Sequence, residues 1–242
     1  MHFKNIIFCS LLATPMLASA NSITEPQERM VIEQQAIAYT VSGDWAKLDE
    51  MIQEYNTGFP TTSGGTHKLV LAWEGIYGLY AGDISGKSID DVATQWLKAR
   101  PNSTGARMLQ AMVFDVKAVG LRGEGAASSV DPDVWPKYKK LMVEEKEFLL
   151  KNKDIADKDA TWYQEMEMVA RNLDDKELLY STLQEGSKKF PTYQNIYLQA
   201  MEGRLPKEGA NKQVISSQAD SLIKISRIWA DFFPANTSNQ PI

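Results

Sequence analysis

Apolar residues recur along this chain at three- and four-residue spacing, and short polar breaks carrying glycine or proline separate the runs. No stretch alternates with period two for more than a few residues, so the pattern predicts an all-α protein of about ten helices. Met30, Val31, Ile37 and Val41 mark a first helix over 27–41. Ser42-Gly43-Asp44 ends it, with Gly43 suited to a left-handed C-cap and Asp44 to an N-cap. Trp45, Leu48, Met51, Ile52 and Tyr55 form one face of a second helix, which makes the pair a hairpin. A loop with Pro60 and Gly64-Gly65 follows. The run from Lys68 to Tyr80 is apolar on most sides and reads as a buried helix.

Ser88 caps the next helix, whose inward face is Ile89, Val92, Trp96 and Leu97, and Pro101 closes it. Ser103 or Thr104 opens a helix along Met108, Leu109, Met112, Val113, Val116 and Val119, with Gly120 placed to stop it. Another enters through Asp133, with Trp135 and Pro136 in its first turn, where proline is tolerated. Trp162 to Leu173 gives the next stripe. Asp174 and Glu177 resemble a capping box ahead of Leu178, Leu179 and Leu183. Two further helices follow, from Pro191 through Met201 and over 211–233.

A longer period underlies these elements. Phe59-Pro60, Arg100-Pro101, Phe190-Pro191 and Phe233-Pro234 each close a helix, at proline intervals of 41, 90 and 43 residues. The long interval is two units, with the missing boundary near 152–154. Such a repeat predicts stacked antiparallel helical hairpins of tetratricopeptide-like type, each burying the face its neighbour cannot bury alone.

The first 20 residues stand apart. Lys4 is their one Lys/Arg/Asp/Glu, 6–12 is an apolar core, and Ala18-Ser19-Ala20 is a small-x-small site. They read as a secretory signal peptide cut before Asn21, carrying away the lone cysteine, Cys9, and implying the periplasm or the medium. The expected domain plan is one helical-repeat domain over 21–234 and a flexible tail over 235–242. Net charge is −5, and one unit more negative without Lys4. That balance gives no electrostatic basis for binding nucleic acid or an anionic lipid surface. No later run is long and apolar enough for a membrane span.

Candidate chemistry is sparse. With Cys9 and His2 in the leader, His67 is the remaining ligand of its kind, and its place at a helix start reads as solvated. Neither a metal nor a cofactor is expected. Asp131 with Asp133, or Asp154, Asp157 and Asp159, lack the spacing of an EF-hand loop. The stretch 111–135 is the most distinctive: an apolar helix end, the loop Leu121-Arg122-Gly123-Glu124-Gly125-Ala126, then a new helix. Amides at Gly123 and Gly125 beside Arg122 suit an anion; equally, Arg122 suits tying helix ends together. Glu124 is the acid a cell-wall-directed enzyme would use. Tyr77, Tyr80, Tyr193 and Tyr197 are the residues expected to line a concave groove for a peptide.

The run Ala118 to Ala126, with Val130 and Trp135, resembles a bacterial family of unknown function with tetratricopeptide-like helices and an Arg-Gly-x-Gly-x-Ala loop. Pro191-Thr192-Tyr193 and Leu205-Pro206 match its later motifs in order, so the similarity covers about 107–210. Where that family carries a Trp-Gly-Gly-like turn, this chain has Glu208-Gly209-Ala210. The resemblance implies the helical fold and no activity. The resulting expectation is non-catalytic binding of a protein or peptide partner, as a scaffold or an immunity-type protein, with the Glu124 enzyme as the alternative.

Overall fold

The computed structural model describes residues 23–81, 88–123 and 127–202, with the side chains of 79–81 and of residue 202 also outside the description. The leader, the loop residues Glu124 and Gly125, the Tyr80 side chain, the helix expected over 211–233 and the tail lie outside the described residues. Within them are ten α-helices: α1 (Glu25–Ser42), α2 (Trp45–Asn56), α3 (Lys68–Ala81), α4 (Ile89–Ala99), α5 (Thr104–Arg122), α6 (Val134–Lys151), α7 (Lys153–Ala156), α8 (Thr161–Asn172), α9 (Lys176–Lys189) and α10 (Gln194–Glu202). Among the described residues there is no strand, only an isolated bridge between Thr61 and His67.

The period is visible in the caps. The second helix of successive pairs starts after Asp44, Ser88, Asp133 and Asp175, intervals of 44, 45 and 42 residues. The pairs are therefore α1/α2, α3/α4, α5/α6 and α8/α9, with α10 opening a fifth. Their packing follows the stacked plan. α1 lies on α2 and α3, α5 on α4 and α6, α8 on α5, α6 and α9, and α10 on α8 and α9.

Two kinds of corner recur with the same backbone. Within the first pair, Gly43 takes the left-handed conformation (φ 71°, ψ 26°) and Asp44 caps α2, accepting a hydrogen bond from Lys47 N. Within the fourth, Asp174 takes that conformation (φ 57°) and Asp175 caps α9, accepting from Leu178 N at 3.0 Å. The closing bonds match too: Asp44 N donates to Tyr39 O at 2.9 Å and Asp175 N to Ala170 O at 2.8 Å. Between pairs, Arg100 (φ −134°, ψ 71°) and Phe190 (φ −131°, ψ 64°) end their helices identically, each followed by proline. The boundary expected near 152–154 has no proline and is instead made by Asn152 and the single-turn helix α7.

Several expectations are corrected. α1 buries Ile32, Ala36 and Thr40, while Met30, Val31 and Val41 are exposed and Ile37 is half-buried. The two helices pack closely because Gly75 on α3 has no side chain: a Cβ there would sit 2.5 Å from Glu33 O of α1. α5 runs through Gly120 and stops at Gly123. The cap of α9 is Asp175, one residue beyond the expected Asp174.

The main core cluster runs from Ile32 to Ile196 and includes Trp96 and Trp162, and a smaller one joins Ala118, Tyr138 and Met142. One contact in the main cluster joins distant pairs. Phe59, buried and at φ 49°, stacks on Tyr193 at 5.0 Å between ring centroids and meets Phe190 edge-on at 5.8 Å. A left-handed conformation costs a residue with a Cβ about 1–2 kcal/mol, and burial of the phenyl ring offsets it. The loop after the first pair therefore packs on the corner after the fourth.

Candidate binding cleft

The loops that close the first three pairs converge on one edge of the array. They surround a cleft of about 640 Å³ lined by the C-terminal half of α2, the corner 99–104 and Lys158-Asp159. That volume lies within the usual ligand-site range of about 300–1,000 Å³.

One wall is organised by Asp49 on α2. Its carboxylate accepts from Trp96 Nε1 at 3.0 Å, Arg100 Nε at 2.8 Å and Ser103 Oγ at 2.5 Å. Ser103 in turn caps α5 by accepting from Ala106 N at 2.9 Å. A buried indole, a guanidinium and a helix cap are thus tied to one acid, which holds the corner in a single geometry. Ser103 is engaged on both sides, donating to Asp49 and accepting from Ala106 N, so it braces the corner.

The opposite wall is fixed by Asn56. Its Nδ2 donates to Lys158 O at 2.7 Å and its Oδ1 accepts from Ala160 N at 3.0 Å. Asp159, between those two residues, is 1 % exposed. Its Oδ1 accepts from Thr161 N at 2.9 Å at the start of α8, while Oδ2 has no hydrogen-bond partner. Burial pushes the Asp159 carboxyl up to about 6, against the pull of the hydrogen bond from Thr161 N. Gln53, Thr57 and Asn102 are exposed around the opening, and the side chains of Arg100 and Lys158 also face solvent. The cleft offers amides, hydroxyls and both signs of charge on a rigid frame, which suits a polar chain better than an apolar molecule.

The residues singled out from the sequence lie elsewhere. Gly123 caps α5 with φ 72°, its N–H on Val119 O at 2.8 Å, and Arg122 Nη1 donates to Gly123 O at 3.1 Å. This bond is local to the end of α5, at the far end of that helix from the cleft, about 27 Å away at 1.5 Å per residue. Tyr193 and Tyr197 are 1 % and 4 % exposed, so neither lines a surface groove. Tyr193 Oη donates to Gln164 Oε1 at 3.1 Å and Tyr197 Oη to Pro191 O at 3.1 Å. Tyr77 is half-buried against the core. His67 is 8 % exposed rather than solvated. Its Nδ1 lies 3.2 Å from Phe59 O and its ring packs against Tyr193 at 5.6 Å, because the 57–67 loop folds inward at Phe59.

Among the described residues no group of three or more His, Cys, Asp or Glu is placed to hold a metal ion, and no helix is long and apolar enough to cross a membrane. The cleft residues are not among those the sequence singles out, although two of the boundaries beside them are marked there by Pro60 and Pro101. Compared with known protein families, with curated proteins and with solved structures, the chain matches none.

Proposed function

We propose that this chain is an exported, non-catalytic helical-repeat protein that holds an extended peptide segment of a partner in the cleft between Asn56, Asn102 and Lys158. The observation that carries the reading is the exposed set of Gln53, Thr57 and Asn102 on walls braced by Asp49 and Asn56. A peptide main chain needs alternating donors and acceptors, and side-chain amides supply both. Rigid walls lower the entropy cost of binding. Export rests on the leader sequence, and recovery of a chain beginning at Asn21 from a periplasmic fraction tests it.

Binding is tested by titrating the ¹⁵N-labelled protein with acidic, basic and neutral pools of unstructured decapeptides. The expected result is shift changes at the amides of Gln53, Thr57, Asn102 and Thr104 for at least one pool, weakened about tenfold by Asn102→Ala with Gln53→Ala, at about 0.5–1.5 kcal/mol for each hydrogen bond lost. Absence of shifts with every pool at millimolar peptide, or shifts confined to other surfaces, overturns the reading.

A further inference from the structure

Where the third pair meets the fourth, two glutamates are buried and a half-buried aspartate acts on both, each from a different helix. Asp115 comes from α5, Glu145 from α6 and Glu165 from α8, the three helices whose mutual packing joins the pairs. Glu145 is 0 % exposed and Glu165 is 5 % exposed. Neither carboxyl oxygen of Glu145 has a hydrogen-bond partner. Buried acids in structural roles are normally matched by a cation or by donors. The lysine beside Glu145, Lys146, instead reaches Asp175 at 3.6 Å. The cationic side chains near the cluster are Arg171 of α8, felt by Asp115 and Tyr138, and Arg122 at the end of α5, felt by Tyr138. The other titratable groups around it are Tyr138 on α6, which feels Asp115 and Glu145, and Tyr193 at the entry to α10, which feels Glu165 and Asp159.

We infer that Asp115, Glu145 and Glu165 form a proton-dependent latch: with Glu145 and Glu165 protonated the third and fourth pairs stay packed, and loss of those protons to solvent drives the pairs apart. The physical cause is like charge brought together without water. Desolvation raises both glutamates well above the ordinary carboxylate range, and Asp115 raises both further; Glu165 adds to the effect on Glu145. Two neutral carboxyls can sit in such a site, whereas two carboxylates there repel each other at short range in a low dielectric. The latch also bears on the cleft, since Ser103-Thr104 at the start of α5 and Lys158-Asp159 ahead of α8 form facing walls. Its operation does not require that the cleft hold a peptide.

The test is native-state amide exchange of the unliganded full chain from pH 6 to pH 9, corrected for base catalysis. Protection in α6 and α8 should fall at least tenfold over that range while α1 and α3 change little. In the Glu145→Gln, Glu165→Gln double variant the fall should be at least tenfold smaller than in the native chain, and what remains should be the titration of Glu167, which Glu167→Gln removes. If the double variant does not fold, Glu145→Gln alone should reduce the fall, and carboxyl ¹³C shifts of the native chain should show Glu145 and Glu165 both titrating well above the ordinary carboxylate range. Protection that is flat with pH, a fall that the variants leave intact, or carboxyls that all titrate near pH 4 to 5 would overturn the inference.

Discussion

Glu167 offers the most quantitative test of how this core is built. It lies on α8, is 0 % exposed, and neither carboxyl oxygen has a hydrogen-bond partner. Burial pushes its carboxyl up to about 9 from an ordinary 4.5, and Arg171 offsets this only in part. The folded protein therefore keeps Glu167 protonated at pH values where the unfolded chain has already released the proton. A folded-state pKa above the unfolded one contributes stability that is complete below about pH 4.5 and is lost as pH rises toward 9. Each pH unit in that window costs about 1.4 kcal/mol, so the penalty is about 3 kcal/mol at pH 7.

Glu167→Gln removes the titration while keeping the shape. The amide carries its own desolvation cost, so the absolute stability of the variant is not the discriminating quantity. The discriminating quantity is the difference between native and variant unfolding free energies at two pH values. Urea unfolding followed by circular dichroism should give a variant advantage that grows by about 3 kcal/mol between pH 4.5 and pH 7. Contributions of Glu145 and Glu165 are common to both proteins and cancel. Curves that stay parallel between those pH values would show that Glu167 is ionised or hydrated in the fold, and the reasoning would fail.

Two further substitutions address packing and the cleft. Gly75→Ala forces a methyl group against the Glu33 carbonyl of α1 and should cost about 1–3 kcal/mol, whereas Gly78→Ala, with open space around it on the same helix, should be neutral or stabilise by up to about 1 kcal/mol; the pair of melting temperatures checks both. Asn56→Ala leaves the amide of Ala160 and the carbonyl of Lys158 without their bonds and should cost about 1–3 kcal/mol in urea unfolding; a loss below about 0.5 kcal/mol would mean that the clamp is dispensable.

The parts of the fold legible in the sequence are those where backbone geometry dictates residue type. Gly43 with Asp44, Ser88 and Pro101 mark corners because a left-handed turn, a helix cap and a helix stop each admit few side chains. The buried face of α1 is not legible in the sequence, because Ile32 is joined there by the small residues Ala36 and Thr40, whose burial no local apolar period marks. His67 and Tyr193 were misplaced because their burial depends on Phe59, a contact across more than a hundred residues that no local period encodes. The cleft was invisible for a different reason. Its residues are polar side chains at three helix ends, ordinary in isolation, and they become a site only when the stacking places those ends on one edge.

In an open solenoid each unit feels only its neighbours, so stability is a sum along a line and the array can fray from either terminus. The stacking of Phe59 on Tyr193 turns that line into something nearer a ring. Loosening the first loop then costs contacts in the fourth corner as well, and partial melting from one end is penalised by the other. Shortening the protein hairpin by hairpin should therefore not yield a graded series of smaller folded proteins, because any cut ahead of Phe190 removes the surface on which the opening loop rests.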